Sequence, residues 1–347
     1  MGNDMSGQTR TMPAAEPARP PGPGRGPGRG IASRLLSGTL TSYATGALLV
    51  ILIIVFWAML PEFRTKQNWS ALLVTQAVTA ALAMAALLPL IVGEFDLSLG
   101  YSLGFLAMVG AWLGGQHQPA LVVIVVMIAG GALVGLANGL LTVRAHIGSF
   151  IATLGVGTIL SALTEGISGG NVLFSGIPAF VTQVGQDKLG GVAIAVWCTI
   201  VVAIICHYGL AHTPLGRRLY AIGGSERVAY LAGVRTGRLK ILAFVLAGVL
   251  VGVGAVFQLG QAGAAQPGFG PDLLLPAYGA AFLGITAYRP GYYNVPGTII
   301  AILLLAVGFD GLSLMGVPFW VQPLFNGAVL LVAVMLARAE SRHLTSI

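Results

Sequence analysis

Charged side chains are scarce in this sequence. Asp, Glu, Lys and Arg make up 8% of its 347 residues, whereas hydrophobic residues make up 56%. Soluble globular proteins carry about 25% charged residues, which keep their large surface in water. This composition therefore excludes an ordinary soluble domain, and the high hydrophobic content excludes a disordered chain. The sequence instead predicts an all-α, polytopic membrane protein whose main solvent is lipid.

The residues that usually carry chemistry are also few. The chain has two cysteines, five histidines and three lysines. No lysine follows a glycine, so the Walker A pattern of an ATPase is absent. The histidines and cysteines show no metal-ligand spacing. We therefore expect a chain that is not an enzyme and that holds no metal or cofactor of its own.

Long apolar runs recur at near-regular spacing. A membrane-spanning helix needs about 20 residues, and the 50 glycines favour close helix packing in lipid. The runs at 99–115 and 272–287 are short and rich in glycine, so we expect them to be broken or tilted. About ten spans are predicted, at 43–60, 70–92, 99–115, 119–142, 148–168, 189–210, 240–261, 272–287, 295–312 and 317–337.

The basic residues indicate the orientation of these spans. With ten spans and both termini in the cytoplasm, fifteen of the eighteen Lys and Arg residues fall on the cytoplasmic side. This asymmetry follows the positive-inside rule and argues against a nucleic-acid partner. The predicted domains are a basic Pro/Gly-rich cytoplasmic tail at 1–42, a transmembrane domain at 43–337 and a short cytoplasmic tail at 338–347. The first tail either contacts anionic membrane lipid or is a plain tail.

One long polar insertion interrupts the second half of the chain, at 211–239. Ser225 is a good helix N-cap, and Glu226 suits the positive end of a helix dipole. We expect Gly223-Gly224 to break the chain, and a short helix to run from Ser225 to Ala232. Such a semi-apolar helix either docks a cytoplasmic partner or lies on the membrane interface.

Acidic residues near membrane depth are the second unusual feature. Glu94 and Asp96 lie between the second and third spans, and Ser98 and Gly100 interrupt the apolar sequence of the third span. Intramembrane acids are costly and often mark function. Asp96 either caps the third helix or contacts a solute. A second interruption, at 283–297, contains Gly, Pro and Tyr, and paired interruptions of this kind point to a translocation site.

Four stretches together carry a family resemblance. Residues 93–100 (GEFDLSLG) resemble the G-x-I-D-L-S-x-G signature of monosaccharide-type ABC permeases, the ribose, xylose and galactose importers. Residues 138–144 and 150–155 (NGLLTVR and FIATLG) are similar to the family's N-G-x-L and F-I-x-T-L-G motifs. Residues 213–225 (TPLGRRLYAIGGS) resemble its long cytoplasmic loop. The resemblance covers 45–337 in the right order.

The resemblance implies the ABC importer permease fold and a set of partners. These are a second permease copy or paralogue, a cytoplasmic ATP-binding subunit that holds ATP and Mg, and an extracytoplasmic solute-binding protein. It implies a bacterial inner-membrane protein that moves a monosaccharide or similar solute by alternating access. The short helix would then be the coupling helix. The residues expected to couple the chain to the ATPase are Arg217, Arg218, Gly223, Gly224, Ser225, Glu226, Arg227 and Tyr230, and those expected to shape the path are Glu94, Asp96, Ser98 and Asn138.

The sequence also departs from the family pattern. Glu94 stands where a small or apolar residue is usual, and Tyr101 replaces a common serine. The stretch 284–297 replaces a Gly-Gly-rich segment, and we interpret its tyrosines as part of an interfacial belt. These departures leave the solute open, including a branched-chain amino acid. An ion-coupled secondary transporter is the alternative from another class.

Overall fold

The computed structural model of the chain describes residue 2, residues 31–318 and residues 320–345. Most of the predicted N-terminal tail, 1–42, lies outside the described residues. The chain divides into two units, Met1–Ser37 and Gly38–Ile347, and the second carries all the spans and sites described below.

The described residues contain thirteen α-helices and one small hairpin, which confirms the all-α class. The helices are α1 (Ile31–Met59), α2 (Lys66–Ile91), α3 (Ser98–Gly115), α4 (Ala120–Val143), α5 (Ser149–Ser168), α6 (Ala179–Gln186), α7 (Ile194–His212), α8 (Pro214–Gly224), α9 (Glu226–Leu231), α10 (Thr236–Ala262), α11 (Leu274–Leu283), α12 (Val295–Leu314) and α13 (Val321–Thr345). The hairpin pairs β1 (Lys188–Leu189) with β2 (Val192–Ala193) in antiparallel register.

Each of the ten predicted apolar runs coincides with one helix. Within the described residues, seven helices are long and apolar enough to cross a membrane: α2, α3, α4, α5, α7, α10 and α12. The apolar parts of α1 and α13 are shorter, at Thr45–Met59 and Val321–Val332. Helix α1 begins at Ile31, inside the predicted tail, and α13 continues through 338–345, so neither predicted boundary is a helix end.

The two runs expected to be irregular behave differently. The run at 99–115 is the unbroken helix α3 of 18 residues, so a break there was a wrong prediction. The run at 272–287 is broken as expected: a 3₁₀ turn, Gly270–Leu273, precedes α11, and a second, Gly284–Thr286, follows it. Gly270 packs so closely on the backbone of Gly100 that a side chain on either residue would overlap the other segment.

Helices α4 and α10 pack through glycines. The α-carbons of Gly131 and Gly248 each face the carbonyl oxygen of the other residue, with no room for a Cβ. Small residues permit such backbone approach, which drives helix association in lipid through van der Waals contact. Helix α2 lies at the centre of the bundle, where almost every residue from Ala77 to Ile91 is buried.

The polar insertion 211–239 contains two helices, of which the sequence predicted one. The missed helix, α8, begins where the Thr213 side chain accepts a hydrogen bond from the Gly216 N–H, with Pro214 in its first turn. Gly223 and Gly224 form the last turn of α8, so the expected break at these glycines was wrong. The chain turns one residue later, at the extended Ser225.

The glycine contact between α4 and α10 generates a stability prediction. In Gly248→Val the added side chain meets the backbone of Gly131, and overpacking of this kind costs about 1–3 kcal/mol. We expect a lower midpoint of thermal unfolding in detergent. The control is Gly155→Val on α5, where a Cβ meets nothing within 4 Å. Equal midpoints for the two variants would contradict this packing.

Candidate functional site

Helix α9 is the short helix that the sequence predicted. The Ser225 side chain accepts a hydrogen bond from the Val228 N–H at 3.4 Å, and Gly233, with φ of 84°, follows its last turn. Ala229 alone is buried, at 4% exposure. The side chains of Val228, Tyr230 and Leu231 are 64%, 67% and 76% exposed. The helix therefore presents an apolar face that nothing in the described chain covers.

A basic groove borders this helix. Its cavity of about 360 Å³ is lined by three arginines from the neighbouring helix ends, Arg144, Arg235 and Arg238, and by Tyr230, Val143, Thr236, Gly237 and Ile241. Arg217 and Arg218 on α8, and Arg227 on α9, are exposed. The exposed apolar residues and these arginines together form a surface suited to a partner with acidic and apolar side chains.

Gly223 brings this surface against the core of the bundle. A Cβ on Gly223 would overlap the carbonyl oxygen of Ile91, the last residue of α2, whereas a Cβ on Gly224 would meet nothing within 4 Å. The two glycines expected to act together therefore have different environments. Of these two glycines, Gly223 is the one in close backbone contact with the central helix.

Three of the four predicted path residues meet at the start of α3. The Asp96 carboxylate accepts hydrogen bonds from the Ser98 N–H at 3.0 Å and the Ser98 hydroxyl at 2.6 Å. The Asn138 amide on α4 lies 3.3 Å from both carboxylate oxygens and donates to Ser98 Oγ at 2.7 Å. All three residues are at most 1% exposed. Asp96 thus satisfies the first backbone N–H of α3, as expected of a cap, while Leu97 occupies the N-cap position.

Neighbouring helices hold the backbone of the segment 93–97. The Tyr278 hydroxyl on α11 donates to the Asp96 carbonyl oxygen at 2.8 Å and accepts from the Asp96 N–H at 3.1 Å. On α5, Ser149 Oγ accepts from the Phe95 N–H at 3.2 Å, and Thr153 Oγ1 accepts from the Leu97 N–H at 3.0 Å. Since lipid offers no hydrogen bonds, this irregular backbone depends on these side chains.

Glu94, the fourth predicted path residue, lies apart from this cluster. Its carboxylate accepts a hydrogen bond from the ammonium group of Lys240 on α10, at 2.7 Å. Sequence reasoning missed both Lys240 and Tyr278. A signal existed for each: Lys240 is a charged residue inside an apolar run, and Tyr278 is the one hydrogen-bonding side chain in Leu274–Leu283.

The second interruption packs against the first. The Asn294 amide donates to the carbonyl oxygens of Tyr292, Gly284 and Ala287, at 2.9, 3.2 and 3.2 Å. Phe282 at the end of α11 packs on Phe95, with ring centroids 6.3 Å apart. The two interruptions, which lie far apart in the sequence, therefore meet at one end of the bundle.

Tyr220 connects the second interruption to α8. Its hydroxyl donates to the Tyr293 carbonyl oxygen at 2.6 Å. Burial raises the pKa of Tyr220, and the positive charge of Arg289 only partly opposes this effect. The phenol therefore stays neutral and acts as a donor. Tyr288 and Tyr292 are more than half exposed, in keeping with the expected interfacial belt.

The Tyr278 hydroxyl generates a second prediction. In Tyr278→Phe the buried N–H of Asp96 loses its partner, and an unsatisfied buried group costs about 1–3 kcal/mol. We expect faster amide hydrogen exchange at 93–97 and a lower unfolding midpoint. The control is Tyr101→Phe, because the Tyr101 hydroxyl makes no hydrogen bond to any described residue. If amide exchange at 93–97 is unchanged in Tyr278→Phe, the Tyr278 hydroxyl does not hold this segment.

Comparisons with known proteins extend these observations. Residues 68–334 match the family described as "Branched-chain amino acid transport system / permease component". The ribose import permease of Escherichia coli (strain K12) is 31% identical, over 83% of this chain and 91% of that protein. The ribose import permease of Bacillus subtilis (strain 168) is 32% identical, over 84% of this chain and 91% of that protein. The L-arabinose ABC transporter permease of Azospirillum brasilense is 30% identical, over 83% of this chain and 86% of that protein.

One solved structure is similar in fold. It is a metal-chelate type ABC transporter in an inward-facing conformation, with a TM-score of 0.52, 15% identity, and coverage of 84% of this chain and 98% of that chain. At this identity the likeness supports the fold alone. The resemblance to monosaccharide-type ABC permeases is confirmed by the sequence relatives. The chain therefore belongs to this family of transport-system permease components and is a multi-pass, membrane-spanning permease subunit of an ABC transporter.

Proposed function

We propose that this permease imports a monosaccharide or a similar small polar solute, powered by a separate cytoplasmic ATPase subunit. The relatives named above are permeases for ribose and arabinose, and further relatives are permeases for allose and xylose. The Asp-Leu-Ser core of residues 96–98, which the sequence shares with the monosaccharide-type pattern, favours a sugar over a branched-chain amino acid.

The exposed apolar face of α9 carries the proposal of an ATPase partner. Val228, Tyr230 and Leu231 project from α9, a helix in which Ala229 is the one buried residue. An apolar surface of this kind outside the spans marks an interaction site. The neighbouring arginines supply charge that selects an acidic partner and orients it. We therefore assign α9 as the coupling helix, with Ser225, Glu226, Arg227 and Tyr230 at the contact and Arg217 and Arg218 beside it.

The mechanism we propose is alternating access. ATP binding and hydrolysis in the partner displace α9, and contacts within this chain carry that displacement to the spans. Gly223 carries it to the end of α2, because backbone meets backbone there. Asp96, Ser98 and Asn138 shape the path by holding α3 against α4, and Tyr278 joins α11 to the same point. The chain itself performs no bond chemistry.

The proposed assembly contains two permease subunits, identical or paralogous, with an ATP-binding subunit on the cytoplasmic face and a solute-binding protein on the other. The excess of basic residues between alternate spans supports an orientation with both termini in the cytoplasm, in a bacterial inner membrane. Membrane lipid surrounds the bundle, where apolar side chains of α4, α5 and α7 are exposed.

The contact between Gly223 and Ile91 generates a third prediction. We expect Gly223→Ala to reduce ATP-dependent solute uptake several-fold, because the methyl group forces α8 away from α2. The matched control, Gly224→Ala on the next residue, has open space around the added methyl and should retain uptake. The measurements are uptake in proteoliposomes and the membrane content of each variant. Equal uptake by the two variants would contradict a coupling role for Gly223.

A fourth prediction tests the assembly itself. Gentle affinity purification of the chain from its native membrane should recover a stoichiometric subunit that carries a Walker A lysine. Reconstitution with that subunit and the solute-binding protein should give uptake that requires ATP and is competed by pentoses. Transport by the chain alone, driven by an ion gradient, would replace this proposal by a secondary transporter. If leucine or valine competes for uptake and sugars do not, the solute is a branched-chain amino acid and not a monosaccharide.

A further inference from the structure

Three charged side chains from separate parts of the chain meet beside α9. The ammonium group of Lys240 lies 2.7 Å from Glu94 Oε1 and 2.6 Å from Glu226 Oε2. Glu94 belongs to the segment between α2 and α3, Glu226 is the first residue of α9, and Lys240 lies in the second turn of α10. These are the ion pairs found among residues 31–318 and 320–345.

We propose that Glu94 is a positioning residue for coupling, which ties the coupling helix to the start of α3 through Lys240. The inference rests on the proposed function, since it states how the movement of α9 reaches the spans.

The burial of Lys240 and Glu94 supports an ion pair that persists while α9 moves. The Lys240 and Glu94 side chains are only 13% and 16% exposed, so solvent screens their attraction less than that of a surface pair. The Glu226 side chain is 49% exposed. Lys240 also lies at the end of an apolar helix, where an unpaired charge is unfavourable. The ammonium group therefore keeps a carboxylate partner, and the stronger link is the one to Glu94.

Glu94 lies next to residues that are hydrogen-bonded to several helices. The next residue, Phe95, is hydrogen-bonded to α5, and Asp96 is hydrogen-bonded to α11 and to the first turn of α3. A displacement of α9 that moves Lys240 thus acts on a segment joined to three helices. The contact of Gly223 with α2 is a separate route, because it involves none of these charges.

The first test neutralises one carboxylate at constant size. In the reconstituted complex, Glu94→Gln should keep ATP hydrolysis, while solute moved per ATP hydrolysed falls about two- to thirty-fold, the range for residues along coupling networks. A purely structural residue would lower both rates together. The matched control is Glu62→Gln, an exposed glutamate just before α2, which should leave the ratio unchanged. A Glu94→Gln ratio equal to that of the control would overturn the inference.

The second test reverses the charges. Lys240→Glu places three carboxylates together and should lower solute moved per ATP at least as far as Glu94→Gln does. The triple variant Glu94→Lys, Lys240→Glu, Glu226→Lys restores opposite charges at both contacts and should recover most of the ratio. A triple variant that assembles but stays as uncoupled as Lys240→Glu overturns the ion-pair role. A wild-type complex without ATP-dependent uptake would instead overturn the proposed function, and the coupling role with it.

Discussion

The need to satisfy backbone hydrogen bonds away from water governs the architecture of this permease. Helices meet that need internally, so each break in a span requires side chains that replace the lost bonds. At the first break, Asp96 serves the start of α3 while Tyr278 bridges the N–H and carbonyl of Asp96 itself. At the second, the Asn294 amide serves three carbonyl oxygens. Where the substitute partner comes from another helix, as Tyr278 does, the satisfied break also binds helices together.

The polar insertion 211–239 is joined to these breaks by contacts of two physical kinds. One is steric: the absence of a side chain on Gly223 lets α8 rest on the last carbonyl of α2. The other is electrostatic: Lys240 holds Glu94 and Glu226 within 2.7 Å of its ammonium group. Within α9 itself, Ala229 is the one buried residue. A weakly anchored helix with firm links at its base is well suited to receive a displacement from a partner and pass it to the spans.

Much of this was predictable from the residues. The apolar runs located the spans because length and hydropathy are local properties, and the N-cap Ser225 with Gly233 bounded α9 for the same reason. The cap role of Asp96 also follows from its place just before a helix. The break expected at Gly223-Gly224 was wrong because glycine permits a helix end without requiring one; α8 continues since its last turn packs on Ile91. The predicted break in α3 failed because its glycines serve close packing, as Gly100 does against Gly270.

The sequence by itself determined the class of the protein, its apolar runs, the short helix α9 and the family resemblance, because composition, periodicity and short motifs are written in consecutive residues. Only the tertiary structure decided that Asn138 meets Ser98, that Tyr278 supports Asp96, and that Glu94 leaves that cluster to pair with Lys240. These pairs are separated by 40, 182 and 146 residues. Their meeting depends on which helix faces pack together, and that is settled by the steric fit of the whole bundle.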